Sequence, residues 1–166
     1  MMPAMSDALS AKPFVRAWMN RQPGQLVGKG HPAGDFLEAY EWKVLEEGVG
    51  ILRLQAHLPA HVKNPRGQLF GGFTPTYVDL IALFTVRSAT PREPGGFRTW
   101  LATSNMRVDY FEPVMGPQFT IESRLLKKRG RTHVVDTRFF DPGDTLAVFA
   151  LTTIREVALN RPLGDG

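Results

Sequence analysis

The stretch Asn64-Pro65-Arg66-Gly67-Gln68-Leu69-Phe70-Gly71-Gly72-Phe73-Thr74-Pro75-Thr76-Tyr77-Val78-Asp79-Leu80-Ile81-Ala82-Leu83-Phe84-Thr85-Val86 decides how this chain folds. Thr74 suits a helix N-cap, and Pro75 suits the first helical position, where a missing N–H costs nothing. Tyr77, Val78, Leu80, Ile81, Ala82, Leu83, Phe84 and Val86 then cover nearly the whole circumference of a helix. That distribution predicts a helix over residues 74–89 enclosed by protein rather than lying on a surface. Such a helix spans roughly 22 Å.

The sequence around it predicts strands. Before it, Tyr40, Trp42, Val44 and Leu45 suggest a strand, and Glu46-Glu47-Gly48 a turn. Residues 50–58 alternate, with Ile51, Leu52, Leu54, Ala56 and Leu58 against Arg53, Gln55 and His57, completing a hairpin. After the helix, a Pro/Gly-rich loop at 90–96 leads into strands over residues 99–111, 118–127, 132–140 and 145–157. Glu112-Pro113 to Gly116-Pro117, Arg129-Gly130-Arg131 and Asp141-Pro142-Gly143-Asp144 separate them, and the last two have hairpin chemistry. Strand, strand, buried helix and four more strands make an α+β fold, most simply an antiparallel sheet wrapped around the helix. Residues 1–33 read as an N-terminal extension with a short helix over 13–19, residues 34–157 as the domain, and residues 158–166 as a tail. Gly28-Lys29-Gly30 lacks the strand and the third glycine of a nucleotide-binding loop and reads as loop.

The composition excludes several classes. At 166 residues, 43% hydrophobic and 22% charged, the chain has the size and balance of one globular domain. It contains no cysteine, which removes disulfide frameworks, thiolate nucleophiles, zinc fingers and iron–sulfur clusters together. His31, His57, His61 and His133 have no metal-motif spacing, so no metal is expected. No apolar run approaches the roughly 18 residues of a membrane span, and the N-terminus lacks a signal-peptide pattern, so the expected location is cytoplasmic. A net charge of +4 is mild. The turn Lys127-Lys128-Arg129-Gly130-Arg131 is the strongest local charge, but without interleaved aromatics it is not a nucleic-acid reader.

Two features carry chemistry. Asp79 has Pro75, Thr76, Ala82 and Leu83 as its helical neighbours, none of them cationic. A carboxylate there needs a partner from elsewhere, a raised pKa or a water-filled cleft; the alternatives to a functional role are a distant arginine or a hydrogen bond to sheet backbone. Gly71-Gly72 runs into the helix N-terminus, where accessible N–H groups and the helix dipole suit a developing oxyanion. The alternative is a tight turn that needs positive φ.

The pattern Asn64-x-x-Gly67-x-x-x-Gly71-Gly72-x6-Asp79 entering an apolar helix resembles the signature of the hotdog-fold thioesterases. It is most similar to the phenylacetyl-CoA thioesterase-like branch of the 4-hydroxybenzoyl-CoA thioesterase superfamily. The preceding hairpin, the strand ending in Tyr110-Phe111-Glu112-Pro113 and the Gly130-Arg131 turn fall in the family's order, so the resemblance covers residues 34–157. It implies a hotdog fold and an acyl-CoA thioesterase without a cofactor, acting on aryl or medium-chain acyl groups. It also implies sheets paired edge to edge in homodimers that often pair again into homotetramers, with active sites at the dimer interface.

By the same resemblance, Gly71 N–H polarises the thioester carbonyl, Asp79 supplies a nucleophilic or general-base carboxylate, and Asn64 places water or thioester from the opposite subunit. Thr103 corresponds to a hydroxyl that orients the attacking water, against an alternative of ordinary strand packing. Phe70 stands where this branch commonly has histidine, placing an apolar wall beside Gly72 and the acyl pocket. Arg129 and Arg131 lie in the region that meets the nucleotide end of CoA. The alternative function is a non-catalytic acyl-CoA-binding or sensing protein; a dehydratase is disfavoured because no histidine follows a candidate aspartate on the helix at the needed spacing.

Overall fold

The computed structural model describes residues 21–90 and 99–158. The helix expected over residues 13–19, most of the loop at 90–96 and the tail beyond residue 158 lie outside the described residues. Six strands form one sheet: β1 (Lys43–Gly48), β2 (Ile51–His57), β3 (Thr99–Tyr110), β4 (Gln118–Arg129), β5 (Thr132–Phe140) and β6 (Leu146–Ala158). Their spatial order is β1-β2-β4-β5-β6-β3, with every neighbouring pair antiparallel. A long helix, α2 (Thr74–Ser88), lies against the inner face, packing on strands from β2 to β3. A short helix, α1 (Pro32–Phe36), precedes the sheet. This is the hotdog arrangement expected above. No described helix is long and apolar enough to cross a membrane.

The sheet forms because its sequence alternates. In β2 the buried residues are Leu52, Leu54 and Ala56, and in β5 they include His133, Val135, Thr137 and Phe139, every second position in each case. These rows close on Tyr77, Val78, Ile81 and Ala82 of α2, which are fully buried, each large apolar side chain contributing about 1.5–3 kcal/mol. Every residue of α2 is buried or half-buried, because its outer face is also covered. The cover comes partly from the N-terminal segment. Leu26, Val27, Leu37, Ala39 and Trp42 belong to the same core, and His31 packs its ring near Phe84. The core therefore begins before residue 34, in a connector whose sequence shows no period.

Inside the core a group of hydroxyls is matched, while Trp42 Nε1, His133 Nδ1 and Thr152 Oγ1 have no hydrogen-bond partner among the described residues. Thr85 Oγ1 donates to the Ile81 carbonyl (2.9 Å) and lies 2.8 Å from Ser123 Oγ, whose hydroxyl can donate back to it, and Ser123 Oγ lies 3.3 Å from Thr137 Oγ1, a hydroxyl chain from helix to sheet. Tyr77 stacks on Trp42 at 5.3 Å and donates its hydroxyl to the His57 carbonyl at 3.0 Å. Burial first, and the Glu38 carboxylate second, push the Tyr77 phenol above its ordinary pKa.

Two local expectations are corrected. Glu46 and Glu47 are strand residues of β1, not a turn; the chain reverses at Val49-Gly50, with Gly50 at φ +69°. Both glutamates are exposed on a sheet edge, where charge discourages further pairing. Thr74 is not an N-cap. It lies inside the helix, buried, because Gly71–Phe73 form a 3-10 turn that extends α2 toward its N-terminus.

Candidate active site

Asp79 sits half-buried on the side of α2 that faces β3. Its carboxylate Oδ1 accepts a short hydrogen bond from Thr103 Oγ1. Neither alternative for Asp79 holds, since no ion pair to it forms among the described residues and its partner is a side-chain hydroxyl rather than sheet backbone. Thr103 is exposed, so packing does not explain it either. The bond fixes one carboxylate oxygen and leaves Oδ2 for an incoming group.

Gly71 and Gly72 open the 3-10 turn that leads into α2. The first N–H groups of a helix have no partner inside it, and the dipole makes them attractive to negative charge. Neither glycine has a positive φ, so the tight-turn explanation fails. Their small size serves close approach instead. A Cβ on Gly72 would lie 2.7 Å from the Phe70 ring, and one on Gly71 would touch the Tyr110 ring at 3.6 Å. Both glycines are exposed, with backbone open to a ligand.

Phe70 is 50% exposed beside Gly72 and continues into an aromatic row. Phe70 and Phe73 lie 5.6 Å apart, Phe73 and Phe36 5.4 Å, and Phe36 and His61 5.0 Å. Phe70 is thus an exposed end of an apolar wall.

Asn64 does a different job within its own chain. Its Oδ1 accepts from the N–H groups of Arg66 (2.9 Å) and Gln68 (3.1 Å), and its Nδ2 donates to Gln68 Oε1 (3.2 Å). Those bonds hold a turn in which Gly67 has φ +76°. One Nδ2 proton is left over. The side chain meets neither Asp79 nor Gly71 in the same chain.

Arg129 and Arg131 flank Gly130, whose φ of +58° makes the tight hairpin between β4 and β5. Both are exposed. Arg129 pairs with Thr132, Thr132 with Arg155, and Arg155 with Ala102, next to Thr103. Three strand spacings separate Arg129 from that position, about 14 Å. Beneath the hairpin, Glu156 Oε1 is 2.7 Å from His133 Nε2 and 3.7 Å from Lys128 Nζ. Burial opposes ionisation of Glu156, but the His133 bond and the charges of Lys128 and His133 outweigh it and lower its pKa.

One contact beside the glycines escaped the sequence. Tyr110 donates its hydroxyl to the Gly71 carbonyl at 2.7 Å. Thr103 and Tyr110 are seven residues apart, so a regular strand would turn them to opposite faces. A bulge prevents this. Thr103 pairs with Ile154 and Met106 with Thr152, so Ser104 is an extra residue on β3 and both side chains face the helix. The Tyr110-Phe111-Glu112-Pro113 pattern marked this strand end, but only the bulge aims the side chain.

A family model described as "Thioesterase superfamily" matches residues 66–148, half of the 166-residue chain. None of the curated proteins matches the chain in sequence. Solved structures share the fold at low identity. A phenylacetic acid degradation-related protein from Ralstonia eutropha JMP134 is 18% identical, with 86% of this chain and 98% of that one covered and a TM-score of 0.65. A hypothetical thioesterase protein from Streptococcus pneumoniae TIGR4, solved with coenzyme A, is 16% identical over 73% of this chain and 89% of that one, with a TM-score of 0.62. A thioesterase from Haemophilus influenzae is 12% identical over 79% and 86%, with a TM-score of 0.65.

Proposed function

Because the chain belongs to the thioesterase superfamily, we propose that it hydrolyses acyl-CoA thioesters at a site built by two copies of the chain. The observation that carries this reading is the Thr103–Asp79 bond, on a helix whose N-terminus exposes Gly71 and Gly72. Thioester hydrolysis needs a carboxylate on one side of the carbonyl and hydrogen-bond donors on its oxygen. Asp79 supplies the first and the Gly71-Gly72 amides the second. Water oxygen becomes bonded to the carbonyl carbon and loses a proton, the C–S bond breaks, and the departing thiolate of CoA takes up that proton, leaving the free acid and CoA thiol.

The same helix argues for two copies. Eight residues separate Gly71 from Asp79, which places them about 13 Å apart along the axis. Amide and carboxylate cannot both touch one carbonyl from a single chain. A partner aligned along β3, an edge strand of twelve residues, would bring Asn64 and the glycine amides of one copy toward Asp79 of the other. Pairing of such dimers into tetramers fits the same reading.

The aromatic row from Phe70 through Phe73 to Phe36 suits an aryl acyl group. Arg129 and Arg131 suit the phosphates of CoA by charge-assisted bonds. The test is thiol release from a panel of aryl and aliphatic acyl-CoAs, comparing wild type with Asp79→Asn. Turnover lost in a folded variant supports the reading. Tight binding of intact acyl-CoA with no turnover anywhere in the panel would replace it with a sensing function.

A further inference from the structure

We propose that Tyr110 is a positioning residue for the oxyanion donors, holding and polarising the Gly71–Gly72 peptide. The inference rests on the thioesterase reading above and adds a group that acts through that peptide rather than on the substrate.

The Tyr110 hydroxyl donates to the Gly71 carbonyl oxygen at 2.7 Å, and the Thr74 N–H donates to the same oxygen. Both of its lone-pair directions are therefore engaged. That carbonyl belongs to the peptide whose N–H is Gly72's. Hydrogen bonds accepted by the oxygen of a peptide draw electron density from its nitrogen and strengthen the N–H as a donor. The ring adds a steric constraint, since a Cβ on Gly71 would already be in van der Waals contact with it. Tyr110 thus fixes the direction of the Gly72 N–H and raises its hydrogen-bonding strength.

Satisfying a buried phenol does not account for the contact. In the single chain Tyr110 is 52% exposed, so burial within its own chain does not force its hydroxyl onto the Gly71 carbonyl. The bulge at Ser104 turns Tyr110 toward the helix while Thr103, earlier on the same strand, holds Asp79. One strand therefore positions both halves of the chemistry, the carboxylate by Thr103 and the amide donors by Tyr110.

Tyr110→Phe removes one exposed oxygen and keeps the ring, so the fold is retained. Loss of a whole oxyanion donor costs on the order of 100-fold or more in kcat; weakening one through its peptide should cost about tenfold, with KM changed less than twofold. The Gly71 carbonyl 13C shift and the hydrogen exchange of the Gly72 amide, read by NMR in both proteins, report the bond without turnover. A lower kcat at constant KM, with a moved Gly71 shift, supports the proposal. Unchanged kcat, or an effect confined to KM, overturns it while Asp79→Asn still tests the hydrolase reading. Should wild type hydrolyse no thioester, the hydrolase reading fails separately, and an unmoved Gly71 shift in Tyr110→Phe would overturn the positioning role by itself.

Discussion

Mixing two inactive variants tests whether the site is shared between copies, and the helix sets the expected yield. Asp79→Asn removes the carboxylate; Asn64→Asp keeps the acceptor that Arg66 and Gln68 use but loses the Nδ2 donor. Each homodimer then has two defective sites. After subunit exchange at equal concentrations, half of the dimers are hybrids. If carboxylate and amides come from different chains, one site in each hybrid receives both defects and the other receives neither. Activity should recover to about a quarter of wild type. The spacing of about 13 Å along one helix is what demands this sharing. The assay is thiol release from an acyl-CoA, with exchange followed by native mass spectrometry on isotopically labelled chains. Full exchange with no recovery would refute the shared site and require Asp79 and the glycine amides to meet within one chain.

Three further outcomes follow from the geometry. Gly72→Ala should leave Tm unchanged or raised, because its φ is not positive, but the new methyl group must push the Phe70 ring aside; the ratio of aryl to aliphatic kcat/KM should fall several-fold. Ser123→Ala breaks the hydroxyl chain between Thr85 and Thr137 and should cost about 1–3 kcal/mol, read as a lower urea midpoint at constant m-value. His31 Nδ1 accepts the Gly34 N–H at 3.0 Å, which requires that nitrogen to be unprotonated; burial lowers its pKa, against the Asp35 charge. The unfolded chain then binds the proton first, near pH 6.5, so stability should fall as pH drops below that value. His31→Asn, compared by urea unfolding at pH 7.5 and pH 5, should show a smaller loss than wild type, and an equal loss would remove His31 from the effect.

The parts of the fold that were legible in the sequence rest on local periodicity. Helix α2 was readable because its apolar residues cover nearly the whole circumference, and β2 because buried and more exposed residues alternate along it. Local pattern fails where packing is set by distant contacts. Leu26 and Val27 belong to the core although Gly and Pro break any period around them, and β1 carries glutamates because an edge strand tolerates exposed charge. The candidate site divides in the same way. Asp79 announces itself as a charge on an apolar helix, and Gly71-Gly72 as a pair at its start. That Thr103 and Tyr110 share a face depends on the extra residue at Ser104, a register event visible only once β3 lies beside β6. Asn64 stood out by spacing, but its bonds to the 64–68 turn depend on a backbone conformation that spacing does not encode.

The order of strands also sets when the site can exist. Among the described residues β3, which carries Thr103 and Tyr110, pairs only with β6, and β6 is the later of the two in sequence by more than thirty residues. A ribosome must therefore release the whole of β4, β5 and β6 before β3 has a neighbour. Until then β1, β2, β4 and β5 can zip into a partial sheet through connections of shorter range, while the strand that orients Asp79 and Gly71 waits unpaired. The candidate site therefore waits on β6, and a new subunit can take its place beside a second copy only after that strand has been made.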